Sequence, residues 1–449
     1  MQWKKLLLLT LCAGLLAAPA LAGPSAKRSG NTVQITEGLT PEVISAIKEE
    51  EGKISDKSQM GFTLKNATDA DVAKLCELYP DMASLNLEGK DYSDLSPVAS
   101  LKKLSQFRTR NSRIKDFSPL RGLTGMKVLN ISAEAMGPDL RWMSGMSQLT
   151  SITITAGKNL VSFEGIPSLP NLTRASFDMG EPKDLTPLVT ALPGLKELHL
   201  KYATLSDLAP LAKLADLEVL DFYGARLSSF APLAGCPKLR KLDYYATKDA
   251  DYSTLGELTQ VSVLEGGLTK LEDISWLAKL PNLKEFRLFA EAVADYSPLA
   301  QTKLEKLFIW SMKKPVDLAP VGKIATLKGL KLWSVENVSG SQELANLTNL
   351  EKLEISGWEE KSRTALDLAF LKKLSKLVNL NIQKTTLTTL DPVALCQSLE
   401  SVRVTQVSGL TSLAPLKKLP KLKNIEVSKG AFAEAELTGF APSVKVAQR

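Results

Sequence analysis

The chain has 449 residues, a formal net charge of +7, and charged side chains at 23% of its positions. Its basic residues are interspersed with acidic ones instead of forming basic blocks, which argues against nucleic acid as a partner. The length alone would indicate two or three globular domains, but a repeated sequence unit permits one long domain instead.

Residues 1–22 have the three parts of an export signal. Two lysines precede an apolar run from Leu6 to Ala18, and Ala20–Ala22 supplies the small residues of a cleavage site. A membrane anchor is the weaker interpretation, because the run is shorter than the ~20 apolar residues of a bilayer span. A lipidated Cys12 is a minor alternative, since the residue before it is bulky. We expect an exported protein that is periplasmic, bound at the cell surface or secreted.

After the signal, the sequence predicts a flexible polar segment over residues 23–38 and an N-terminal cap over 39–82. Thr40 precedes a proline at a favourable first helical position. Thr68 is a suitable N-cap for a second helix that runs to about Tyr79. A stacked array needs such a cap, because no preceding turn covers its apolar end.

From residue 83 to 449 the chain repeats a leucine-rich unit of about 22 residues. In the copy Glu197–Lys201, Leu198 and Leu200 alternate with polar residues, as in a strand with one buried face. A longer spacing between Leu353 and Leu380 contains a polar insertion at residues 358–363. Counting the cap strand, we expect about seventeen or eighteen parallel strands. The predicted strand anchors are Leu85, Phe107, Leu129, Ile152, Ala175, Leu198, Leu220, Leu242, Leu264, Phe286, Leu307, Leu330, Leu353, Leu380, Val402, Ile425 and, at the end, Val444.

An aspartate recurs just before the return segment of many repeats. Metal binding is one interpretation of such a series. The better one is an Asx-type turn, in which each carboxylate accepts the backbone N–H two residues further on. The aspartates are Asp94, Asp116, Asp184, Asp207, Asp251, Asp273, Asp295 and Asp317.

Three cysteines follow the signal: Cys76, Cys236 and Cys396. The last two replace a leucine of the return segment, so we expect both in the core. Strands at ~4.8 Å spacing would keep them far beyond disulfide reach. The sequence therefore predicts a fold stabilised by packing, with free buried thiols.

Two repeat units, DLAPLAKLADLEVLDF (residues 207–222) and DFSPLRGLTGMKVLNI (116–131), resemble the leucine-rich repeats of bacterial internalins. The resemblance implies an α/β solenoid with a parallel sheet on its concave face and short 3₁₀ or irregular returns on its convex face. It also implies a secreted or surface-exposed protein that grips a partner protein on the concave face. The asparagine typical of these repeats is replaced here by Ser112, Ala203 and Ala225.

The outward positions of the strands form two rows on the predicted concave face. The candidate partner-binding residues in these rows are Tyr223, Tyr245, Phe289, Trp310, Trp333, Asp221, Asp243, Glu265, Arg287, Phe308 and Lys331. Large aromatic residues on a soluble surface are typical of partner-binding sites. The alternative is that the rings pack on neighbouring strands as a cross-strand ladder. The first row is Lys201, Tyr223, Tyr245, Gly267, Phe289, Trp310, Trp333 and Ser356. The second is His199, Asp221, Asp243, Glu265, Arg287, Phe308, Lys331 and Glu354.

The leading hypothesis is a non-catalytic, monomeric module that binds a partner protein. The alternative is a carbohydrate-binding protein whose aromatic row stacks on sugar rings. An enzyme ranks third: His199 is the single histidine and has no evident nucleophile in its own turn, and adjacent carboxylates such as Asp221 and Asp243 are typical of recognition surfaces. No motif predicts a metal site or a cofactor.

Overall fold

Each repeat contributes one short strand, and the strands join side by side into a single sheet of twenty. The computed structural model describes residues 26–449 except 37, 111–112, 134, 138, 156–158, 179, 183, 206, 268–270, 290–291, 311–315, 335–337 and 358–366. The predicted signal at 1–22, Ser112 and the insertion at 358–363 lie outside the described residues. Within the described part, no helix is long and apolar enough to cross a membrane.

The sheet strands follow the chain in order. The first half is β1 Ala26–Ser29, β2 Thr32–Ile35, β3 Gly61–Lys65, β4 Ser84–Glu88, β5 Gln106–Arg110, β6 Val128–Ser132, β7 Ser151–Thr155, β8 Arg174–Asp178, β9 Glu197–Lys201 and β10 Val219–Asp221. The second half is β11 Lys241–Asp243, β12 Val263–Glu265, β13 Glu285–Phe289, β14 Lys306–Trp310, β15 Gly329–Trp333, β16 Lys352–Ser356, β17 Asn379–Gln383, β18 Ser401–Thr405, β19 Asn424–Val427 and β20 Lys445–Gln448. Two short parallel pairs lie beside the sheet: Thr204–Leu205 with Arg226–Leu227, and Val316–Asp317 with Val338–Ser339.

The predicted anchors pair with one another in register along the sheet. Leu198 pairs with Leu220, Leu220 with Leu242, and the series continues to Ile425. The prediction for the last strand is wrong by two residues, because Ile425 pairs with Val446 and not with Val444. All strands from β2 onward are parallel, which is the sheet that a leucine-rich repeat solenoid requires.

The N-terminal end holds a strand pair that the sequence did not predict. β1 and β2 form an antiparallel hairpin, and β2 continues the parallel sheet against β3. The prediction of a flexible segment over 23–38 is therefore wrong for this part, because Val33 and Ile35 are fully buried.

Two helices flank the first repeat strand where the sequence places them. Helix α1 spans Pro41–Glu51, with Thr40 as its N-cap, and α2 spans Asp69–Leu78. Thr68 forms a capping box with Asp71, whose carboxylate also accepts the N–H of Leu39. Two shorter helices, α3 Thr186–Ala191 and α4 Glu434–Leu437, replace the usual return in their repeats.

The returns on the opposite side of the core are mostly 3₁₀ turns, and many begin with proline at the first or second position. Leu211 and Leu214 of one return are fully buried beneath Leu198 and Leu200. The 3₁₀ turns are Lys57–Gln59, Ser96–Ser100, Ser118–Gly122, Arg141–Met143, Ala209–Lys213, Ala231–Gly235, Tyr252–Glu257, Ser275–Lys279, Ser297–Gln301, Val321–Lys323, Ser341–Asn346, Ala369–Lys373, Asp391–Leu395 and Ala414–Lys418.

The cysteine prediction is confirmed. Cys76, Cys236 and Cys396 are free and buried. The thiols of Cys236 and Cys396 each lie 3.3–3.4 Å from a carbonyl oxygen of an earlier return, Leu211 or Leu371. Burial raises the pKa of all three thiols to about 11, so they stay protonated core groups.

The recurrent aspartates close Asx turns, as predicted. In each of the eight repeats, one carboxylate oxygen accepts the backbone N–H two residues later at 2.7–3.0 Å. Asp139 and Asp367 make the same bond. These carboxylates therefore have a structural role at the start of the returns.

A left-handed residue ends many of the strands, four positions after the anchor. Left-handed backbone reverses the chain direction tightly, but it is costly for residues other than glycine. Its recurrence shows that the turn geometry of the repeat requires it. The residues are Asn66, Gly89, Tyr202, Gly224, Ala246, Ser334, Lys384 and Gln406.

Replacing Asp295 by alanine tests the Asx turns. Its two oxygens accept the N–H and the hydroxyl of Ser297 at 2.7 and 2.8 Å. We expect Asp295→Ala to lower the free energy of unfolding by about 1 kcal/mol, measured by urea denaturation. Asp295→Asn, which keeps one acceptor oxygen, is the matched control and should lose less. Equal stability of the alanine variant and the wild type would contradict this role.

Candidate functional site on the concave face

The concave face is defined here as the side of the sheet that points away from the core. Strand pairing places the predicted site residues opposite one another on it. Asp221, Asp243, Glu265 and Arg287 are consecutive partners along the sheet. The same row continues through Phe308, Lys331 and Glu354.

The aromatic residues form a continuous chain of ring contacts. Tyr223 and Tyr245 stack at 5.1 Å between ring centroids with nearly parallel planes. The rings of Tyr245 and Phe289 are nearly perpendicular, with their centroids 5.2 Å apart, and the Phe289 and Trp310 ring centroids lie 4.7 Å apart. The rings face outward and also pack on their neighbours, as the cross-strand ladder predicts, and partner binding by this row stays a prediction.

Exposure differs strongly along this aromatic row. Tyr223 and Trp333 are 37% and 36% exposed, whereas Phe289 is only 8% exposed. The prediction of an exposed ring at Phe289 is wrong, since Tyr245, Phe308 and neighbouring groups cover it. Phe289 supports the row, and the rings at its two ends remain accessible.

Gly267 explains how the row continues across a repeat that has no aromatic side chain. A Cβ atom at Gly267 would lie 2.5 Å from the Phe289 ring and 2.6 Å from the Tyr245 ring. The two rings meet in the space that the missing side chain leaves. Glycine is therefore required here for steric reasons.

A groove of about 330 Å³ lies beside the row, in the N-terminal half of strands β12 to β17. Phe308 lines it, and the Arg287 guanidinium and the Lys331 ammonium each lie 5.4 Å from the centre of the Phe308 ring. Lys306 and Lys352 flank Gly329, which has no side chain to fill the space between them. The groove thus combines an apolar floor with a rim of four basic and three acidic side chains, the latter being Glu265, Glu285 and Glu354.

Part of this groove consists of residues outside the two predicted rows. Glu285, Lys306, Gly329 and Lys352 occupy the outward position just before each anchor. These four positions form a third outward row, which the same strand register identifies. Tyr202 was also missed: it is 55% exposed, and its ring contacts Tyr223 edge-on at 5.5 Å.

The acidic row is unevenly neutralised. Asp221 accepts from the His199 ring at 2.9 Å and from the Tyr223 N–H at 2.8 Å. Burial would raise the pKa of Asp221, but these two bonds outweigh it and hold the pKa below its usual range. Glu265 lies 3.2 Å from the Lys241 ammonium and 3.9 Å from the Arg287 guanidinium.

Asp243 lacks such a partner among the described residues. Its carboxylate accepts the Tyr245 N–H at 2.9 Å. Burial raises the pKa of Asp243 to about 6, and the nearby carboxylates Asp221 and Glu265 contribute to the rise. The charge of Lys241 offsets this rise only in part, so the Asp243 carboxylate is incompletely compensated.

His199 is held by two carboxylates. Its Nδ1 lies 2.9 Å from Asp221 Oδ2 and its Nε2 lies 3.3 Å from Glu197 Oε1. The bond to Asp221 raises the pKa of His199, and the contact with Glu197 adds to the effect. With an acceptor at each ring nitrogen, the charged imidazolium is favoured, and this form cannot act as a general base. Among the described residues, no group of His, Cys, Asp and Glu could hold a metal ion.

No protein-family model and no curated protein sequence matches the chain. Similar solved structures include a leucine-rich repeat protein of Leptospira interrogans, with a TM-score of 0.52, 16% identity, and coverage of 86% of this chain and 92% of that one. Another is TLR13 in complex with ssRNA13, with a TM-score of 0.51, 15% identity, and coverage of 88% and 64%. The internalin InlF of Listeria monocytogenes is similar with a TM-score of 0.38, 20% identity, and coverage of 82% and 87%. The fold is that of a leucine-rich repeat protein.

The two glycines of the concave face provide a matched pair of variants. We expect Gly267→Ala to lower the free energy of unfolding by about 1–3 kcal/mol, because the new methyl group displaces two packed rings. Gly329→Ala should leave stability unchanged or slightly raised, since its Cβ meets only Lys306 Cγ at 3.6 Å. Urea denaturation of both variants checks this. Equal losses would contradict the different surroundings of the two positions.

The pKa of Asp243 predicts a pH-dependent effect. Because the folded pKa of about 6 exceeds the ordinary 3.8, the folded protein binds this proton more tightly than the unfolded chain does. The protonated Asp243 side chain therefore makes its full contribution to stability below about pH 4, and this contribution is lost as the pH rises to about 6. Asp243→Asn keeps an acceptor oxygen and cannot ionise.

We expect Asp243→Asn to be more stable than the wild type at pH 8, by on the order of 1–2 kcal/mol after allowance for partial exposure. The difference should shrink toward pH 4. Urea denaturation of both proteins at the two pH values is the measurement. A stability difference that does not change with pH would show that Asp243 titrates normally.

Proposed function

We propose that this protein is exported and binds a partner protein through its concave face, as a monomer and without catalysis. The observation that carries the proposal is the continuous aromatic row beside the groove at Phe308 and Gly329. These features lie on neighbouring strands, and the remaining outward positions toward the N-terminus are mostly small or polar residues, such as Thr153 and Ser176. Recognition residues are thus concentrated on one part of a uniform scaffold.

The packing of the row suits it to binding. The rings hold one another in place, so little side-chain entropy is lost when a partner covers them. Trp333 is fixed further by its indole N–H, which donates to Glu354 at 2.6 Å, and by the Lys331 ammonium 3.9 Å from its ring centre. Aromatic residues and arginine in such rigid settings dominate the energetics of many protein interfaces.

The state of the potential catalytic groups supports a binding function. His199 is bonded at both ring nitrogens, and the described cysteines are protonated core residues. A nucleophile with an adjacent general base is the usual requirement for covalent catalysis. The concave residues described above provide charge and apolar surface instead.

Protein is favoured over carbohydrate by the orientation of the rings. A sugar ring stacks on an open aromatic face. Tyr223 and Tyr245 cover each other's faces, and Lys331 covers a face of Trp333. Each of these three rings therefore has one face already engaged within the protein, which leaves less open aromatic face for stacking on a sugar.

Export is supported by the residues of the predicted signal, from the two lysines at its start to Ala20–Ala22. The periplasm, the cell surface and the medium are all compatible with it. Cell fractionation that distinguishes these compartments tests this part of the proposal. Retention of the protein in the cytoplasm would contradict it.

Site-specific photocrosslinking in cells tests where a partner binds. A photoreactive phenylalanine replaces Trp333 on the concave face or Leu395 on a return, two apolar residues that are 36% and 58% exposed. We expect a crosslinked partner protein from position 333 only. Crosslinking of the same protein from position 395, and not from 333, would place the interface on the wrong face for this proposal.

With the partner identified, Trp333→Ala should weaken binding at least tenfold, as expected for a central aromatic contact. Leu395→Ala is the control and should bind like the wild type. Isothermal titration calorimetry with the purified partner is the measurement, and circular dichroism confirms that both variants fold. Unchanged affinity of a folded Trp333→Ala variant would contradict the proposal. Binding to a glycan array that is lost in this variant would favour the carbohydrate alternative.

A further inference from the structure

Charge is segregated along the concave face. Three carboxylates, Asp221, Asp243 and Glu265, lie on consecutive strands β10 to β12. The next strands carry Arg287, then Phe308 and Lys331, and Glu354 follows in the same row, paired with Lys331. The face therefore changes from an acidic half to a basic half within the aromatic row's length.

Each half keeps one charged side chain that forms no salt bridge among the described residues. In the acidic half, Asp221 is bonded to His199 and Glu265 to Lys241, whereas Asp243 forms no salt bridge within the described chain. Tyr223 and Tyr245 follow Asp221 and Asp243 by two positions each. Both tyrosines are partly exposed and add apolar surface. A basic side chain of a partner would complete this half.

In the basic half, the anions are already engaged. Glu285 lies 2.6 Å from the Lys306 ammonium, and Glu354 lies 3.2 Å from that of Lys331. Lys352 is exposed and has no acidic partner among the residues that the structure describes. It borders the open space above Gly329, whose floor includes Phe308. An acidic side chain beside an apolar one would fit both features.

We propose that the partner protein presents an extended segment that crosses the strands, with a basic residue at Asp243 and an adjacent apolar–acidic pair in the groove at Gly329 and Lys352. This inference rests on the proposed function and specifies the partner's chemistry. Four strand steps separate β11 from β15, which is about 19 Å at the usual spacing of ~4.8 Å. An extended chain covers that distance in about six residues.

Charge complementarity gives the segment one orientation. A segment with its charges reversed would place a carboxylate against Asp243 and a cation against Lys352, and like charges at an interface are costly. The segment is therefore recognised by the order and the spacing of its charges as well as by its apolar residue. Specificity of this kind uses repulsion of the wrong order in addition to attraction of the right one.

Synthetic peptides test the inference directly. Each carries one arginine and one Phe-Glu pair, separated by two, five or eight uncharged residues, in both chain directions. Fluorescence anisotropy with the purified protein measures their affinities. We expect the spacing of five to bind at least tenfold more tightly than the spacings of two and eight in one chain direction. Equal affinities at all spacings would overturn the inference.

Double-mutant cycles identify which charges meet. Arginine→Ala in the peptide should cost little further affinity once the protein carries Asp243→Asn, and glutamate→Gln in the peptide should cost little with Lys352→Gln. In the crossed combinations, the peptide change and the protein change should act independently, so that their fold-losses of affinity multiply. The proposed charge order would be overturned if the crossed pairs showed coupling, or if no pair showed any. Salt should weaken binding of the matched peptide more than that of the peptide without charges.

A variant that fills the groove provides the last test of the inference. Gly329→Phe places a ring in the space beside Phe308, and the Cβ position itself has only ordinary contacts, so the variant should fold. We expect at least a tenfold loss of affinity for the matched peptide, and a smaller loss in Gly329→Ala, whose methyl group fills less of the groove. If peptides fail to bind while the natural partner depends on Trp333, the segment chemistry is wrong and the proposed function stands. If the natural partner is indifferent to Trp333, the proposed function itself falls.

Discussion

In-register pairing of one buried anchor per repeat is the constraint on which the structure depends. Leu198, Leu220 and Leu242 pair directly, and the same register extends through the parallel sheet. A slip of one residue would turn an anchor to the outer face and a charged neighbour into the core. Because the register is fixed by burial, residues 21 to 23 positions apart in the chain become neighbours on the concave face. The site is therefore a product of the period itself.

Much of the fold could be predicted because each repeat packs in the same way. The anchors, the Asx turns and the buried cysteines recur at fixed positions, so one copy explains the others. The errors lie at the ends, where the repetition stops. Val33 and Ile35 form a two-residue apolar alternation that is too short to distinguish from a polar segment, and the final strand is centred on Val446 because the last spacing is 21 residues.

The two outward rows of the candidate site were predictable, whereas its remaining residues and its shape were not. Alternation along a strand tells which side chains point outward, and the two predicted rows are adjacent in the structure as strand pairing requires. Exposure depends on how side chains from three or four repeats pack, which no single repeat encodes. Phe289 is covered by its neighbours for this reason. The two glycines illustrate this. Adjacent rings occupy the space above Gly267, whereas the space above Gly329 stays open as a groove.

Oxidative side-chain footprinting of the protein with and without its purified partner tests the central claim, that the concave face is the binding surface. The reporters are Tyr223 and Trp333 on that face and Leu395 on a return, all exposed in the free protein. The account predicts that the partner reduces oxidation of Tyr223 and Trp333 and leaves Leu395 unchanged. Protection of Leu395 with unchanged oxidation of both aromatic residues would contradict it.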